Sequence, residues 1–294
     1  MKKKSLIVSS ILPLCAIGAC AQTTTPASAP EATTAATAAG SEPSPSPFTA
    51  NINLTTKYKF RGQDQGNTKW FSPALQGGFD WSSHGFYVGA WNSNVSFSNA
   101  ALEMDFYGGY KGEITKDIAY DVGILQYFYP QRDRILDFNT TEIYGALTYG
   151  FFTLKYSHTV SSDYFGIGEA QQAGARGAGV GIGRPNGRNT GYLEGNANFP
   201  LVDKLTLNGH VGYTHYASGI RNASYSLADG GGGLTTTHVG VPNFYDYKLG
   251  VTYDMSAVMG SGVSAAAAIV GANKRGFYGD INKPRVILTL SKAL

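Results

Sequence analysis

The chain has 294 residues, of which 38 are glycine, 19 tyrosine and 15 phenylalanine, and only 15% of its residues are charged. An average domain carries about 25% charged residues and about 7% glycine. This balance excludes a disordered chain, because disorder needs few aromatics and a high net charge. No apolar run reaches the roughly 18 residues of a transmembrane helix, which excludes a helical membrane protein. Glycine, tyrosine and threonine at this density disfavour helices, so an all-β chain remains.

The first 21 residues have the pattern of a secretory signal peptide. Three lysines at positions 2–4 precede an apolar stretch from Leu6 to Ala19, and Ala19-Cys20-Ala21 fits an A-x-A cleavage site before Gln22. The formal net charge of +3 comes from these three lysines alone, so the mature chain is neutral. A neutral chain gives no support to nucleic-acid binding through a basic patch.

Both cysteines, Cys15 and Cys20, lie in this leader. Cleavage after Ala21 therefore leaves a mature chain with no disulfide and no cysteine metal site. The segment Ile17-Gly18-Ala19-Cys20 also fits a bacterial lipobox loosely, and lipidation of Cys20 stays open as the alternative.

Residues 22–47 are mostly Thr, Ala, Pro and Ser and have no apolar periodicity. This composition predicts a disordered low-complexity linker, since it cannot bury a core. We expect one ordered domain over residues 48–294.

From Phe48 onward, apolar and polar residues alternate with a period of two. In residues 50–61, Ile52, Leu54, Tyr58 and Phe60 share one face, and the opposite face is polar throughout. Such alternation predicts a strand with one apolar and one polar face. Similar segments bring the predicted strands to twelve: 50–61, 75–81, 86–95, 102–111, 120–128, 142–149, 152–157, 193–199, 205–214, 245–254, 263–269 and 286–290. An even number of strands of this length favours an antiparallel up-and-down transmembrane β-barrel.

The links between the predicted strands alternate in length. The longer ones cover residues 62–72, 96–101, 130–138, 160–189, 217–243 and 273–283, and the links between them are mostly shorter. Long external loops and short periplasmic turns are typical of outer-membrane barrels. Aromatic residues flank the short turns, where a membrane-interface girdle is expected: Trp81, Phe86, Tyr110, Tyr120, Tyr149, Phe152, Phe199 and Tyr253. A soluble β-sandwich remains the alternative, but it gives no reason for loop lengths to alternate.

Three segments near the start of the domain carry a family resemblance. Tyr58-Lys59-Phe60-Arg61-Gly62, residues 73–80 (PALQGGFD) and residues 85–91 (GFYVGAW) resemble the bacterial TorF family of porin-like proteins. The later segments 103–110 and 127–130 are also similar to it. The resemblance implies a channel in the bacterial cell outer membrane, preceded by a signal peptide.

If the polar faces point inward, charged residues line the lumen and set the selectivity for ions. The predicted pore-lining residues are Lys57, Lys59, Arg61, Asp80, Glu103, Asp105, Lys111, Asp121, Glu142, Lys155, Glu194, His210, Asp246, Lys248 and Asp254. Within this set, Lys57, Lys59 and Arg61 follow one predicted strand toward the outside as a basic ladder that attracts anions. The alternative is a lumen closed by ion pairs. A barrel of twelve strands is intermediate in width between narrow barrels filled by side chains and wide barrels with an open channel.

We therefore expect passive diffusion of small solutes or ions through a narrow, charged porin-like channel. The alternatives are a non-conducting structural or adhesive barrel, or an outer-membrane hydrolase using His158 beside Ser157, Ser161 and Ser162, although one histidine beside serines is not a triad. The glycine-rich run 174–191 lacks a phosphate-binding motif and predicts a loop, and His84, His210, His215 and His238 lack metal-ligand spacing. We expect no enzyme activity and no cofactor. The expected partners are outer-membrane lipid, the barrel-assembly machinery and small solutes or ions, and no nucleic acid.

Overall fold

A computed structural model describes residues 46–97, 100–130, 136–228 and 234–294. The predicted signal peptide lies outside the described residues, and so does the predicted linker apart from Ser46 and Pro47.

The described chain is built mainly of strands. In chain order these are β1 (Phe48–Thr55), β2 (Lys59–Phe60), β3 (Gln63–Asp64), β4 (Ala74–Ser83), β5 (Phe86–Phe97), β6 (Ala100–Thr115), β7 (Ile118–Phe128), β8 (Thr140–Tyr149), β9 (Phe152–Thr159), β10 (Gly191–Val202), β11 (Leu205–His215), β12 (Ser224–Ala228), β13 (Leu234–His238), β14 (Phe244–Asp254), β15 (Val263–Ala272) and β16 (Arg285–Ala293). The helices are α1 (Ile167–Gly177), α2 (Ser218–Arg221), α3 (Ser256–Met259), α4 (Arg275–Tyr278) and a 3₁₀ turn (Gly279–Asn282). None of the helices in the described ranges is both long and apolar enough to cross a membrane.

Twelve strands form one closed antiparallel barrel. Each pairs with the next barrel strand along the chain, and β1 closes the barrel by pairing with β16, from Asn51 opposite Ala293 to Thr55 opposite Thr289. The two remaining pairs, β2–β3 and β12–β13, are separate hairpins within loops. The fold class and all twelve predicted barrel strands are confirmed, because alternation of period two fixes each strand wherever one face must meet lipid.

The outer surface of the barrel is an apolar belt. Large apolar side chains on alternate positions point away from the lumen and stay exposed. They include Ile52, Leu54, Leu75, Phe79, Val88, Leu102, Phe106, Val122, Ile124, Ile143, Leu147, Leu154, Leu193, Val211, Leu249, Ile269, Val286 and Leu288. Around the short turns, aromatic side chains pack edge to face, as Phe86 and Tyr110 do at 4.9 Å. Together they form the lipid-facing band and the girdle of a membrane barrel.

Two local predictions are wrong, and one predicted long loop contains a helix. The first predicted strand, 50–61, ends at Thr55, because the chain then turns into the lumen. The predicted long link 96–101 is short, because β5 and β6 extend to Phe97 and Ala100, which are both buried and paired. The predicted loop 160–189 contains the helix α1, whose buried residues Ile167, Gln171 and Ala175 share one face.

Inside the barrel, tyrosine rings lie flat over glycines on neighbouring strands. Gly123 on β7 is directly opposite Tyr144 on β8, and a β-carbon at Gly123 would come within 2.7 Å of the Tyr144 ring. Gly89 on β5 is related in the same way to Tyr107 on β6, at 2.5 Å. These glycines therefore leave the space that the inward tyrosines occupy, which accounts for part of the high glycine and tyrosine content.

Replacing Gly123 with valine should destabilise the barrel, because the new side chain displaces the Tyr144 ring. Overpacking of this kind costs about 1–3 kcal/mol. The measurement is the urea midpoint of the refolded protein in lipid vesicles, followed by tryptophan fluorescence. Gly145→Val is the matched control, since the nearest atom to a β-carbon there is 4.0 Å away. An equal loss of stability in both variants would contradict the packing role of Gly123.

Candidate functional site

The lumen contains a segment that belongs to no barrel strand. Residues 56–73, here called the inserted segment, leave β1 at Thr55 and return to β4 at Ala74. Its middle is the β2–β3 hairpin, whose two-residue turn is Arg61-Gly62. Both turn residues have positive φ, 42° and 73°, as a tight type I′ turn requires. At Gly62 a β-carbon would lie 2.5 Å from the Gly271 carbonyl oxygen, so only glycine lets the turn approach the wall this closely.

Arg61 ties the turn of the inserted segment to the opposite wall. Its Nη2 donates to both carboxylate oxygens of Glu142, at 2.8 and 3.1 Å, and its Nη1 donates to the Tyr164 hydroxyl at 2.7 Å. The guanidinium carbon lies 4.0 Å from the centre of the Tyr192 ring. Arg61 is 6% exposed and Glu142 only 2%. A buried, charge-assisted pair of this kind is strong, and removing one partner is costly.

Two lysines of the inserted segment share one aspartate as their counter-charge. Lys57 and Lys59 lie 3.2 and 2.9 Å from the carboxylate of Asp64, and Arg285 on β16 approaches it at 3.7 Å. Lys59 Nζ also donates to the carbonyls of Gly62 and Ile281, at 2.8 and 2.9 Å. Burial nevertheless lowers the pKa of Lys59 to about 8, because it outweighs the attraction of Asp64. The contacts of the ammonium with Asp64, Gly62 and Ile281 fix where the segment lies.

Aromatic side chains fill the space around the inserted segment. Phe60 packs edge to face on Phe165 at 5.8 Å and on Tyr127 at 6.1 Å, and Tyr58 packs on Trp91 at 5.7 Å. The buried apolar core of the molecule lies here, in the outer half of the lumen, and comprises Tyr58, Phe60, Trp91, Val95, Phe97, Leu125, Tyr127, Tyr129, Phe138, Tyr164, Phe165, Ile167, Tyr216, Ile220, Val241, Phe244, Tyr278 and Ile281, among others. The segment and the external loops thus close the outer half of the barrel.

The wall next to this core carries two buried carboxyl groups on β6. Glu103 accepts hydrogen bonds from the hydroxyls of Tyr58 and Tyr129, both at 3.0 Å. Asp105 is 0% exposed, and neither of its oxygens has a hydrogen-bond partner among the residues that the structure describes. A buried carboxyl without a donor is unfavourable, so Asp105 does not help to hold the segment.

The inner half of the lumen is polar and more open. Tyr107 donates to Asp80 at 2.6 Å. Lys111 and Asp121 face each other at 3.8 Å with 48% and 28% of their side chains exposed. Water therefore reaches this half of the barrel, in contrast to the filled outer half.

The structure separates the predicted pore-lining residues into three groups. Lys57, Lys59 and Arg61 lie in the inserted segment, so the basic ladder predicted on a strand is wrong. Glu103, Asp105, Glu142, Glu194 and Asp246 are buried in the wall. Asp80, Lys111, Asp121, Lys155, His210, Lys248 and Asp254 are half-buried or exposed. Asp64 and Arg285 are not among the predicted residues, and only the excess of bases in residues 57–61 signals that an acid must lie nearby.

The candidate hydrolase residues are not brought together. His158 contacts the Tyr156 hydroxyl at 3.3 Å and Asn189 at 3.1 Å, whereas the neighbouring Ser157 is buried on the opposite face of β9. Within the described ranges, no group of three or more His, Cys, Asp or Glu side chains is arranged to hold a metal ion.

Residues 38–241 match a family model described as "Bacterial protein of unknown function (Gcw_chp)". No curated protein matches the chain in sequence.

Among solved structures, the chain is similar to the NanC porin, with a TM-score of 0.48 and 8% identity over 83% of this chain and 98% of that one. It is similar to the KdgM porin with a TM-score of 0.46 and 6% identity over 83% of this chain and 97% of that one. It is also similar to the outer-membrane protein opdK from Pseudomonas aeruginosa (TM-score 0.39, 10% identity, 76% and 57%). The fold itself rests on the strand pairing of this chain. Its closed barrel of twelve antiparallel strands and its apolar belt are those of a transmembrane β-barrel of the bacterial outer membrane.

Replacing Glu142 with glutamine should release the inserted segment, because Arg61 then keeps a buried charge without its carboxylate. Loss of one partner of a buried pair costs about 3–5 kcal/mol, so trypsin cleavage after Arg61 should rise by about two to four orders of magnitude. The measurement is the cleavage rate of the refolded barrel, read by peptide mass.

Asp105→Asn is the matched control for Glu142→Gln, because it removes a buried carboxylate that holds no donor in the described chain. We expect the cleavage rate of that variant to stay at or below that of the unmodified protein. Equal acceleration in both variants, or none in Glu142→Gln, would contradict the role of the Arg61–Glu142 pair.

Proposed function

We propose that this chain, which belongs to the Gcw_chp family of bacterial proteins of unknown function, is an outer-membrane channel for the passive diffusion of small solutes or ions. In the state described, the inserted segment closes its outer half. The resemblance to the TorF family of porin-like proteins agrees with this function and stays a prediction.

One observation carries the proposal: the obstruction is not part of the barrel. Thr55 and Ala74 pair directly across β1 and β4, so the ladder is complete without residues 56–73. Ser72 N donates to the Thr56 carbonyl at 3.1 Å, which brings the two ends of the segment together. A loop that enters and leaves at one point can move as a unit without breaking the sheet.

The width and lining of the barrel also support a channel. Barrels of about eight strands are filled by their own side chains, whereas about sixteen strands leave an open pore. A twelve-stranded barrel has room for one inserted segment, and once this segment and the external loops packed on it move aside, the polar inner face lines a continuous path. Small solutes and ions are the cargo that such a path admits.

The charge of the lumen favours cations once the segment has moved. Among the predicted lining residues outside the segment, eight are carboxylates and three are lysines, and Arg285 adds one further cation. The inserted segment contributes Lys57, Lys59, Arg61 and the exposed Lys69, with only Asp64 opposing them. The segment therefore neutralises an acidic wall while it is inserted and leaves an acidic path when it moves, and such a path selects cations.

A non-conducting barrel is the second candidate function. The filled outer half of the lumen favours it, because many aromatic contacts and a buried ion pair hold the segment in place. The two candidates differ only in whether the segment leaves the lumen.

Replacing Lys57–Ser72 with two glycines should open the barrel, since Thr55 and Ala74 remain paired. In planar bilayers we expect rare, small openings for the unmodified protein and a several-fold larger, long-lived conductance for the shortened one. In a potassium chloride gradient, the reversal potential of the shortened variant should approach that of potassium.

The control shortens a different external loop by replacing Tyr225–Thr237 with two glycines, between the paired residues Ser224 and His238. This variant should conduct like the unmodified protein, because β12 and β13 lie largely exposed outside the lumen. A folded variant without the segment that still fails to conduct would favour the non-conducting barrel.

A further inference from the structure

We propose that a basic groove at the outer rim of the barrel binds the phosphate-bearing headgroup of an outer-leaflet lipid. The rim groove consists of two adjoining hollows of about 500 and 620 Å³. Arg221 lines both hollows. Arg188 and His215 line the first, and Tyr213, Tyr245 and Lys274 line the second.

The rim groove lies at the level where lipid headgroups lie. Tyr213 and Tyr245 are paired opposite each other at the outer ends of β11 and β14, and their rings stack at 4.5 Å. Below them on the same outward face, Val211 and Leu249 belong to the apolar belt, each more than 60% exposed. Tyrosines at the edge of such a belt mark the membrane–water interface. The cations of the groove therefore lie just outside the hydrocarbon region.

The cations of the rim groove have no counter-charge among the residues that the structure describes. Neither hollow is lined by an acidic residue. Arg188, Arg221 and Lys274 form no ion pair with any residue of the described ranges, whereas Arg61, Arg184, Arg275 and Arg285 each lie within 4.0 Å of a carboxylate. Positive charge gathered in a concave surface attracts an anion from outside.

The groove is also held in shape by its own hydrogen bonds. Asn243 Nδ2 donates to the Tyr213 hydroxyl and lies 3.0 Å from His215 Nδ1, so it fixes both rings. Arg221 ends helix α2, where its amide donates to the Ala217 carbonyl at 3.0 Å. Gly240 packs so closely on the Arg221 carbonyl that a β-carbon would lie 1.9 Å from it. The Arg221 backbone is thus anchored before any ligand binds, which lowers the entropic cost of binding.

These features together fit a phosphate group on a lipid better than a soluble anion. Arginine recognises phosphate with two parallel hydrogen bonds, and basic pockets beside membrane-spanning segments bind anionic headgroups. The exposed Tyr245 ring and the belt below it give the acyl chains an apolar surface, which a free anion does not use.

The test measures retention of lipid A by the refolded mature protein, using native mass spectrometry in detergent. The probes are lipid A with both phosphates and the same lipid after removal of its phosphates. We expect the phosphorylated form to be retained about tenfold better, which corresponds to about 1.4 kcal/mol and is the scale of one charge-assisted hydrogen bond.

Arg188→Gln/Arg221→Gln should abolish this preference, and Arg188→Gln alone should weaken it without touching the fold, because Arg188 is exposed. The matched control is Arg176→Gln/Lys283→Gln, which removes two exposed cations that do not line the groove and should retain lipid A normally. Equal retention of both lipid forms would overturn the proposal. Displacement of lipid A by millimolar inorganic phosphate would overturn it too, because the groove would then be a site for free phosphate. Channel conductance does not enter this test.

Discussion

The arrangement of this barrel depends on one buried ion pair. Arg61 crosses the lumen to reach Glu142 with two hydrogen bonds, while the rings of Phe60 and Tyr192 cover its guanidinium. Neither charge is favourable at this depth without the other. Once Arg61 is placed, the positive φ of the Arg61-Gly62 turn and the contact of Gly62 with β15 set the path of the inserted segment. The aromatic core then packs around that path.

This placement divides the lumen into two environments. The outer half is dry, aromatic and closed, and it contains the core that the thin barrel wall lacks. The inner half is polar and reaches water, with tyrosines such as Tyr107 hydrogen-bonded to acidic residues on neighbouring strands. A transmembrane barrel buries no core between two sheets, because its apolar face meets lipid. The inserted segment gives this chain a second source of stability, and the same segment controls the path through the barrel.

The sequence predicts the barrel well and its interior poorly, for physical reasons. Alternation in segments such as 75–81 and 245–254 fixes strand, face and register, because a slip of one residue would turn every apolar side chain into the lumen. The same alternation continues through Tyr58 and Phe60 after the strand has ended. A segment inside a filled lumen also has one apolar and one polar face. An alternation of period two therefore does not distinguish a face that contacts lipid from a face that packs in an aromatic core. Pairs such as Arg61 with Glu142 join residues far apart in the chain, and no local pattern contains them.

The most direct test of this account is hydrogen exchange of the backbone amides of residues 58–66 in the folded barrel in lipid. Gln65 N donates to the Tyr58 carbonyl and Ser96 N to the Gln65 carbonyl, so the segment is bonded both to itself and to β5. We predict that the amide of Gln65 exchanges as slowly as those of the barrel strands, while the exposed β12–β13 hairpin exchanges far faster. Exchange of Gln65 as fast as that hairpin would contradict the account, because the segment would then lie outside the lumen.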